Sequence, residues 1–160
     1  MSPSTSFEVA QILKIVALTN SQFSIRSGGH NPNRGWSNTD TNGLLIDLFR
    51  LDSIEISEDK QLAKVGPGNR WLPVYQAFSG TGVTVLGGRT PDVGVGGVLL
   101  GGGIPSFSSE YGMACDMVEN FEVVLADSRI VNASPTENQD LFWALKGGGA
   151  NFGHYTCPTA

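Results

Sequence analysis

The segment Gly87 to Gly103, GGRTPDVGVGGVLLGGG, constrains this chain more than any other. Gly87, Gly88, Gly94, Gly96, Gly97, Gly101, Gly102 and Gly103 make eight of its seventeen residues glycine. Glycine loses more backbone freedom on folding than any other residue, so such density marks positions where a side chain does not fit. Two causes stay open on these residues alone: a run of tight turns, or backbone pressed against a flat or phosphorylated ligand. Val93, Val95, Val98, Leu99 and Leu100 stand between the glycines, whereas a flexible glycine linker is polar; the ligand is the favoured cause. Neither common phosphate motif is present. A dinucleotide fingerprint starting at Gly94 needs a third glycine where Leu99 stands, and Lys146 is followed by Gly147 rather than by Ser or Thr.

A second short stretch, Arg26-Ser27-Gly28-Gly29-His30-Asn31, ends an apolar run and carries one of only two histidines. Read alone, it is either a turn with a solvated imidazole or a phosphate-binding loop with a nucleophilic ring nitrogen at its tip.

At 160 residues with 40% hydrophobic content, the chain has the length for one globular domain with a core. Fifteen acids against ten bases, a net charge of -5, argue against a nucleic-acid partner. No run of 18 apolar residues is present, so no membrane span is expected. MSPSTSFEVAQ lacks a basic n-region and an apolar h-region; without a readable signal the default compartment is the cytoplasm. Cys115 and Cys157 show no metal-ligand spacing and leave pairing open.

The periodicity predicts a helix over residues 5 to 20, with Thr5 and Glu8 at capping-box spacing and Val9, Ile12, Leu13, Val16 and Ala17 on one face. Strands are expected at 23–25, 44–46, 54–56, 62–65 and 83–86, and a hairpin at 121–126 and 130–131 around Asp127-Ser128. A second helix runs from Trp71 to Phe78, with Pro73 tolerated in its first turn. Ser134, Pro135 and Glu137 announce a third helix, through Leu145. The order suits an α+β domain, mixed sheets with flanking helices, rather than regular βαβ repetition.

Four segments in collinear order carry a resemblance: RSGGHN, the glycine stretch, YGMACDMVENFEVVLAD, and DLFWALKGGG with NFG. On them the chain resembles the N-terminal part of FAD-linked oxidoreductases of the berberine-bridge-enzyme-like type, which have the PCMH-type FAD-binding domain shared with vanillyl-alcohol oxidase. The wording is most similar to the fungal branch found in secondary-metabolite clusters. The resemblance implies an incomplete PCMH-type domain over residues 1–160, without the substrate domain. It implies FAD bonded through its 8α-methyl carbon to His30, with Arg26, Ser27, Gly28 and Gly29 around the pyrophosphate and Asn31 beside them. Gly88, Pro91, Val93, Gly94, Gly96 and Gly97 would lie under the pyrophosphate and ribityl chain, Gly101 and Gly102 near the ring, and Asp116 and Val131 toward the adenosine. Many relatives add a cysteine attachment where this chain has Thr90, so a single covalent link is expected, and Cys115 is expected to be structural.

Departures from the family pattern bear on activity. Pro105, Glu110, Met117, Ser128 and Ala150 replace usual residues, and none of Tyr75, Tyr111 or Tyr155 matches a catalytic-base motif. The implied activity is hydride transfer from an alcohol or amine carbon of a small organic substrate to the flavin, reoxidised by oxygen. The alternative expectation is a truncated, non-catalytic relative that acts as a flavin-binding or partner module, with a C-terminal partner chain.

Overall fold

The computed structural model describes residues 1–33, 35–40 and 42–159, the last six by their backbone. Helix α1, Ser6–Thr19, starts where the Thr5 hydroxyl accepts the Glu8 N–H at 3.1 Å. The Glu8 carboxylate reaches one residue beyond a capping box, accepting from the Ser4 N–H at 2.6 Å and hydroxyl at 3.0 Å. These bonds hold its carboxyl below the usual range. Val9, Ala10, Leu13 and Val16 are buried, while Ala17, expected on that face, is exposed.

Strands β1, Phe23–Arg26, and β2, Leu44–Asp47, pair in parallel from Phe23 opposite Leu44 to Arg26 opposite Asp47. A parallel pair needs a long crossover. Residues 27 to 43 supply it, so the Gly28-Gly29-His30 loop leaves directly from the carboxyl end of β1. Helix α1 closes a small core over this pair with Ile46, Leu48 and Val124.

The larger sheet holds β3 (Ile54–Ile56), β4 (Ala63–Val65), β5 (Asn120–Val124), β6 (Ile130–Ala133) and β7 (His154–Thr159), in the spatial order β3-β4-β7-β5-β6 and antiparallel throughout. The β5–β6 hairpin turns through Ser128 at φ 69, a left-handed position that favours glycine. Helices α2 (Trp71–Phe78), α3 (Val95–Leu100), the single turn α4 (Ser108–Tyr111) and α5 (Gln139–Leu145) complete the chain. Trp71, Val74, Phe78, Val95, Leu99, Phe121, Val123, Phe142 and Leu145 form the main core, each large side chain contributing about 1.5–3 kcal/mol by leaving water.

Four expectations change. Residues 83–86 alternate like a strand but join no ladder among the described residues. The third predicted helix begins at Gln139, because the Ser134 hydroxyl accepts the Thr136 and Glu137 N–H groups and closes its own turn, with Asn138 left-handed at φ 47 before the helix. The glycine stretch contains a helix, α3. Residues 154–159, outside every expected element, form the central strand of the sheet. No helix among the described residues is long and apolar enough to cross a membrane.

Candidate cofactor-binding site

The two glycine-rich loops meet backbone to backbone. A Cβ on Gly28 would stand 2.5 Å from the Gly94 Cα, and one on Gly94 would stand 2.6 Å from the Gly28 Cα. Only glycine at both positions permits this crossing, since real Cβ contacts do not come so close. The N–H groups of the next residues hold the crossing in place: Val95 donates to the Asn69 carbonyl at 2.9 Å, and Gly94 bridges Arg70 in antiparallel fashion.

Around the crossing lies a cavity of about 590 Å³. Arg26, Ser27, Gly28, Gly29, His30 and Asn31 form one wall; Val93, Gly94, Gly96 and Gly97 form the facing one. His30 is exposed within it. Gly29 adopts φ +69, a left-handed turn that swings the chain toward His30. Among the described residues, the N–H groups of Gly28, Gly29 and His30 donate to no protein acceptor. Such backbone donors suit an anion.

The side chains of Arg26 and Ser27 have structural partners. Arg26 makes a two-pronged contact with one Asp47 oxygen, at 3.1 Å from Nε and 2.5 Å from its terminal nitrogen, across the parallel pair. The Ser27 hydroxyl donates to the Pro67 carbonyl at 2.5 Å. These two bonds set the loop's direction, and what the loop offers a ligand is its backbone.

The remaining expected residues divide. Pro91 and Val93 give their carbonyls to the first N–H groups of α2, Leu72 at 2.9 Å and Trp71 at 3.2 Å. Gly88 lies under the Trp71 indole, takes the Tyr75 hydroxyl on its carbonyl at 2.9 Å, and lines a cleft of about 300 Å³ with Thr90 and Gly101. Val93 and Gly97 wall both that cleft and the main cavity. Gly102, at φ +91, accepts the Cys115 N–H at 2.9 Å and is buried, so it serves as a joint. Asp116 accepts the Met113 N–H at 3.0 Å and faces a separate cavity of about 570 Å³ with Phe78, Phe107 and Tyr111. Val131 packs against the main core and lines neither cavity. Asp116 and Val131 are thus not brought to the walls His30 shares.

Burial pushes the Tyr75 hydroxyl above its ordinary range, which keeps it a neutral donor. Cys115 is a free, buried thiol, raised by burial and by the adjacent Asp116 carboxylate, consistent with a structural role. Sequence reasoning missed Pro67, Trp36 and Ala150, all on the main cavity wall. Nothing in the composition of Gly66-Pro67-Gly68 says that the Pro67 carbonyl receives the Ser27 hydroxyl.

A family model described as FAD binding domain matches residues 1–134. The chain belongs to this FAD-binding family. Curated relatives include several fungal FAD-dependent monooxygenases; YanF of Aspergillus niger is 47% identical over 153 residues, which is 96% of this chain and 26% of that protein. Berberine bridge enzyme in complex with (S)-reticuline matches with a TM-score of 0.91 at 28% identity, over 99% of this chain and 32% of that one. Glucooligosaccharide oxidase from Acremonium strictum, which carries a 6-S-cysteinyl, 8α-N1-histidyl FAD, matches with a TM-score of 0.88 at 30% identity, over 99% of this chain and 33% of that one. The chain therefore spans about a quarter to a third of the length of these relatives. The fold is that of the PCMH-type flavoproteins.

The residues present fit FAD. The crossing of Gly28 and Gly94 brings the two loops together with no side chain between them, and Gly97, where a Cβ would meet nothing within 4 Å, leaves the cavity wall bare. The cavity falls within the roughly 300–1,000 Å³ of cofactor and ligand pockets, with mixed apolar and backbone-polar walls.

Proposed function

We propose that this chain is the flavin-holding portion of an FAD-dependent oxidoreductase, with the cofactor attached once, through His30. The carrying observation is the crossing of the His30 loop and the glycine stretch at Gly28 and Gly94, which puts an exposed imidazole on one wall of a single cavity. Bound flavin supplies a two-electron acceptor for hydride from an alcohol or amine carbon of a small organic substrate, with oxygen as the final acceptor. The chain's own residues would hold it: the backbone N–H groups of Gly28 and Gly29 would receive the pyrophosphate, and the bare backbone at Gly97 would let the rest approach. His30 would hold the flavin through a bond between a ring nitrogen and the 8α carbon; that bond would replace one C–H bond of the carbon and the imidazole N–H, with both protons and the two electrons going to oxygen as hydrogen peroxide. Thr90, at the place where relatives carry a cysteine, has no thiolate to make a second link.

A second reading, a non-catalytic flavin-binding or partner module, is favoured by the cavity's composition. Among its described lining residues none is a carboxylate, a tyrosine or a lysine, so no general base stands beside His30. A C-terminal partner chain would then supply proton removal and substrate contacts.

The test is the visible flavin spectrum of the purified chain, taken before and after acid precipitation. Flavin that stays with the precipitate, and is lost from His30→Ala, supports single attachment. A colourless protein from flavin-replete cells counts against flavin binding altogether. Oxygen uptake by the chain alone, compared with uptake beside a C-terminal partner, separates the two readings.

A further inference from the structure

The chain has three tryptophans, and they sit in three different environments. Trp71 is 2% exposed in the main core, stacked on Tyr75 at 5.7 Å. Trp143, on α5, is 81% exposed and is not among the described residues that line the four cavities around the glycine loops and Asp116. Trp36 is 71% exposed and lies on the wall of the cavity that His30 shares. Among the described residues its ring stacks on no other aromatic ring and receives no cation.

The chain after His30 is folded to bring this indole back. The Asn31 carboxamide accepts the Asn33 N–H at 2.9 Å, and the Trp36 N–H donates to the Asn33 carbonyl at 3.2 Å, giving two consecutive turns. Gly35, at φ +87, takes a backbone position that an L side chain rarely adopts. The Ser37 hydroxyl then donates to the Gly29 carbonyl at 3.3 Å. This last bond ties the residue after Trp36 to the residue before His30, so the indole and the imidazole belong to one closed loop.

A large aromatic surface left in water at the wall of a cavity gains most from a flat partner, since offset stacking adds to the area it buries. We infer that Trp36 is a positioning residue whose indole stacks on the isoalloxazine ring system held at His30, so that the loop carrying the attachment point also carries the ring's wall. The inference rests on the flavin reading above.

Binding measurements on the 160-residue chain in a His30→Ala background, where attachment does not occur, test it with two fragments. Riboflavin carries the ring system without the pyrophosphate and adenosine; ADP carries the reverse. Trp36→Ala is expected to weaken riboflavin binding by about three- to tenfold and to relieve the quenching of its fluorescence, as loss of one aromatic stack implies. Trp36→Phe is expected to stay within about twofold, because a flat ring remains. ADP binding and the thermal midpoint are expected to stay unchanged in both, as they are in the Trp143→Ala control. Equal riboflavin affinity and quenching in Trp36→Ala overturns the inference while leaving the flavin reading intact. An equal loss of ADP binding also overturns it, because the indole then only supports the loop. If the unsubstituted chain takes neither FAD nor riboflavin, both the inference and the flavin reading fall.

Discussion

The middle and the ends of the glycine stretch look alike in sequence and do different work. In the middle, Gly94 meets Gly28 through backbone alone, and Gly97 opens onto the cavity. At the start, Gly87 and Gly88 lie flat under the Trp71 indole, where a Cβ on Gly88 would stand 2.5 Å from Trp71 Cδ1. At the end, Gly102 and Gly103, at φ +91 and +69, give their carbonyls to the Cys115 and Ala114 N–H groups, each at 2.9 Å. Glycine density therefore has two causes here. Gly97 leaves the cavity wall bare, whereas Gly94 and the flanks make room for the protein's own backbone and core.

Substitutions separate the two. Gly94→Ala is expected to have the largest effect, because backbone on both sides cannot yield. A loss of about 2–3 kcal/mol in denaturant unfolding, with loss of retained flavin, is the expected result. Near-normal stability and flavin content would show that the crossing is not a cradle. Gly87→Ala drives a methyl group into the buried Trp71 ring. About 1–3 kcal/mol of stability should go, while flavin bound per folded molecule stays near the parent value. If flavin loss outruns unfolding there, the first part of the stretch also touches the ligand.

Tyr75→Phe removes the 2.9 Å hydrogen bond to the Gly88 carbonyl. It is expected to cost about 1 kcal/mol by thermal or denaturant unfolding, with no change in the flavin spectrum. The same residue gives a pH test. Burial raises the folded-state pKa of Tyr75 above its unfolded value, so the neutral hydroxyl's contribution is full below about pH 10 and is lost as pH climbs through the folded value. The parent chain should lose stability faster than Tyr75→Phe in that alkaline range, and parallel curves would remove Tyr75 from the account. Gly97→Ala is expected to have the smallest effect on stability, within about 0.5 kcal/mol, because its Cβ meets nothing within 4 Å. Its methyl enters the cavity, so flavin retention should still fall; unchanged retention would place the cofactor elsewhere.

The elements written by local chemistry were legible. Thr5 and Asn20 mark the two ends of α1 within a residue, and the 54–65 and 120–133 hairpins follow their alternation and turn residues. The misreadings have a common physical source. Val83 to Leu86 has the strand pattern but pairs with no strand among the described residues, and β7, from the far end of the chain, lies between β4 and β5. Ser134 was read as a helix cap, yet its hydroxyl closes a turn of its own, a choice between two local bonds that composition does not settle. Helix α3 was hidden because glycine hardly favours a helix; its buried Val95 and Leu99 draw it against the core.

The sequence by itself determined that two glycine-rich loops and a histidine would be present, and, through four collinear motifs, that the family is one of flavin-binding proteins. Tertiary structure decided which glycines serve the cavity, that Arg26 and Ser27 are committed to Asp47 and Pro67, and that Asp116 and Val131 lie away from His30. The physical reason is range. Backbone permission is a property of one residue and can be read along the chain, whereas the contact of Gly28 with Gly94 depends on where β1 ends and where α3 docks on the core.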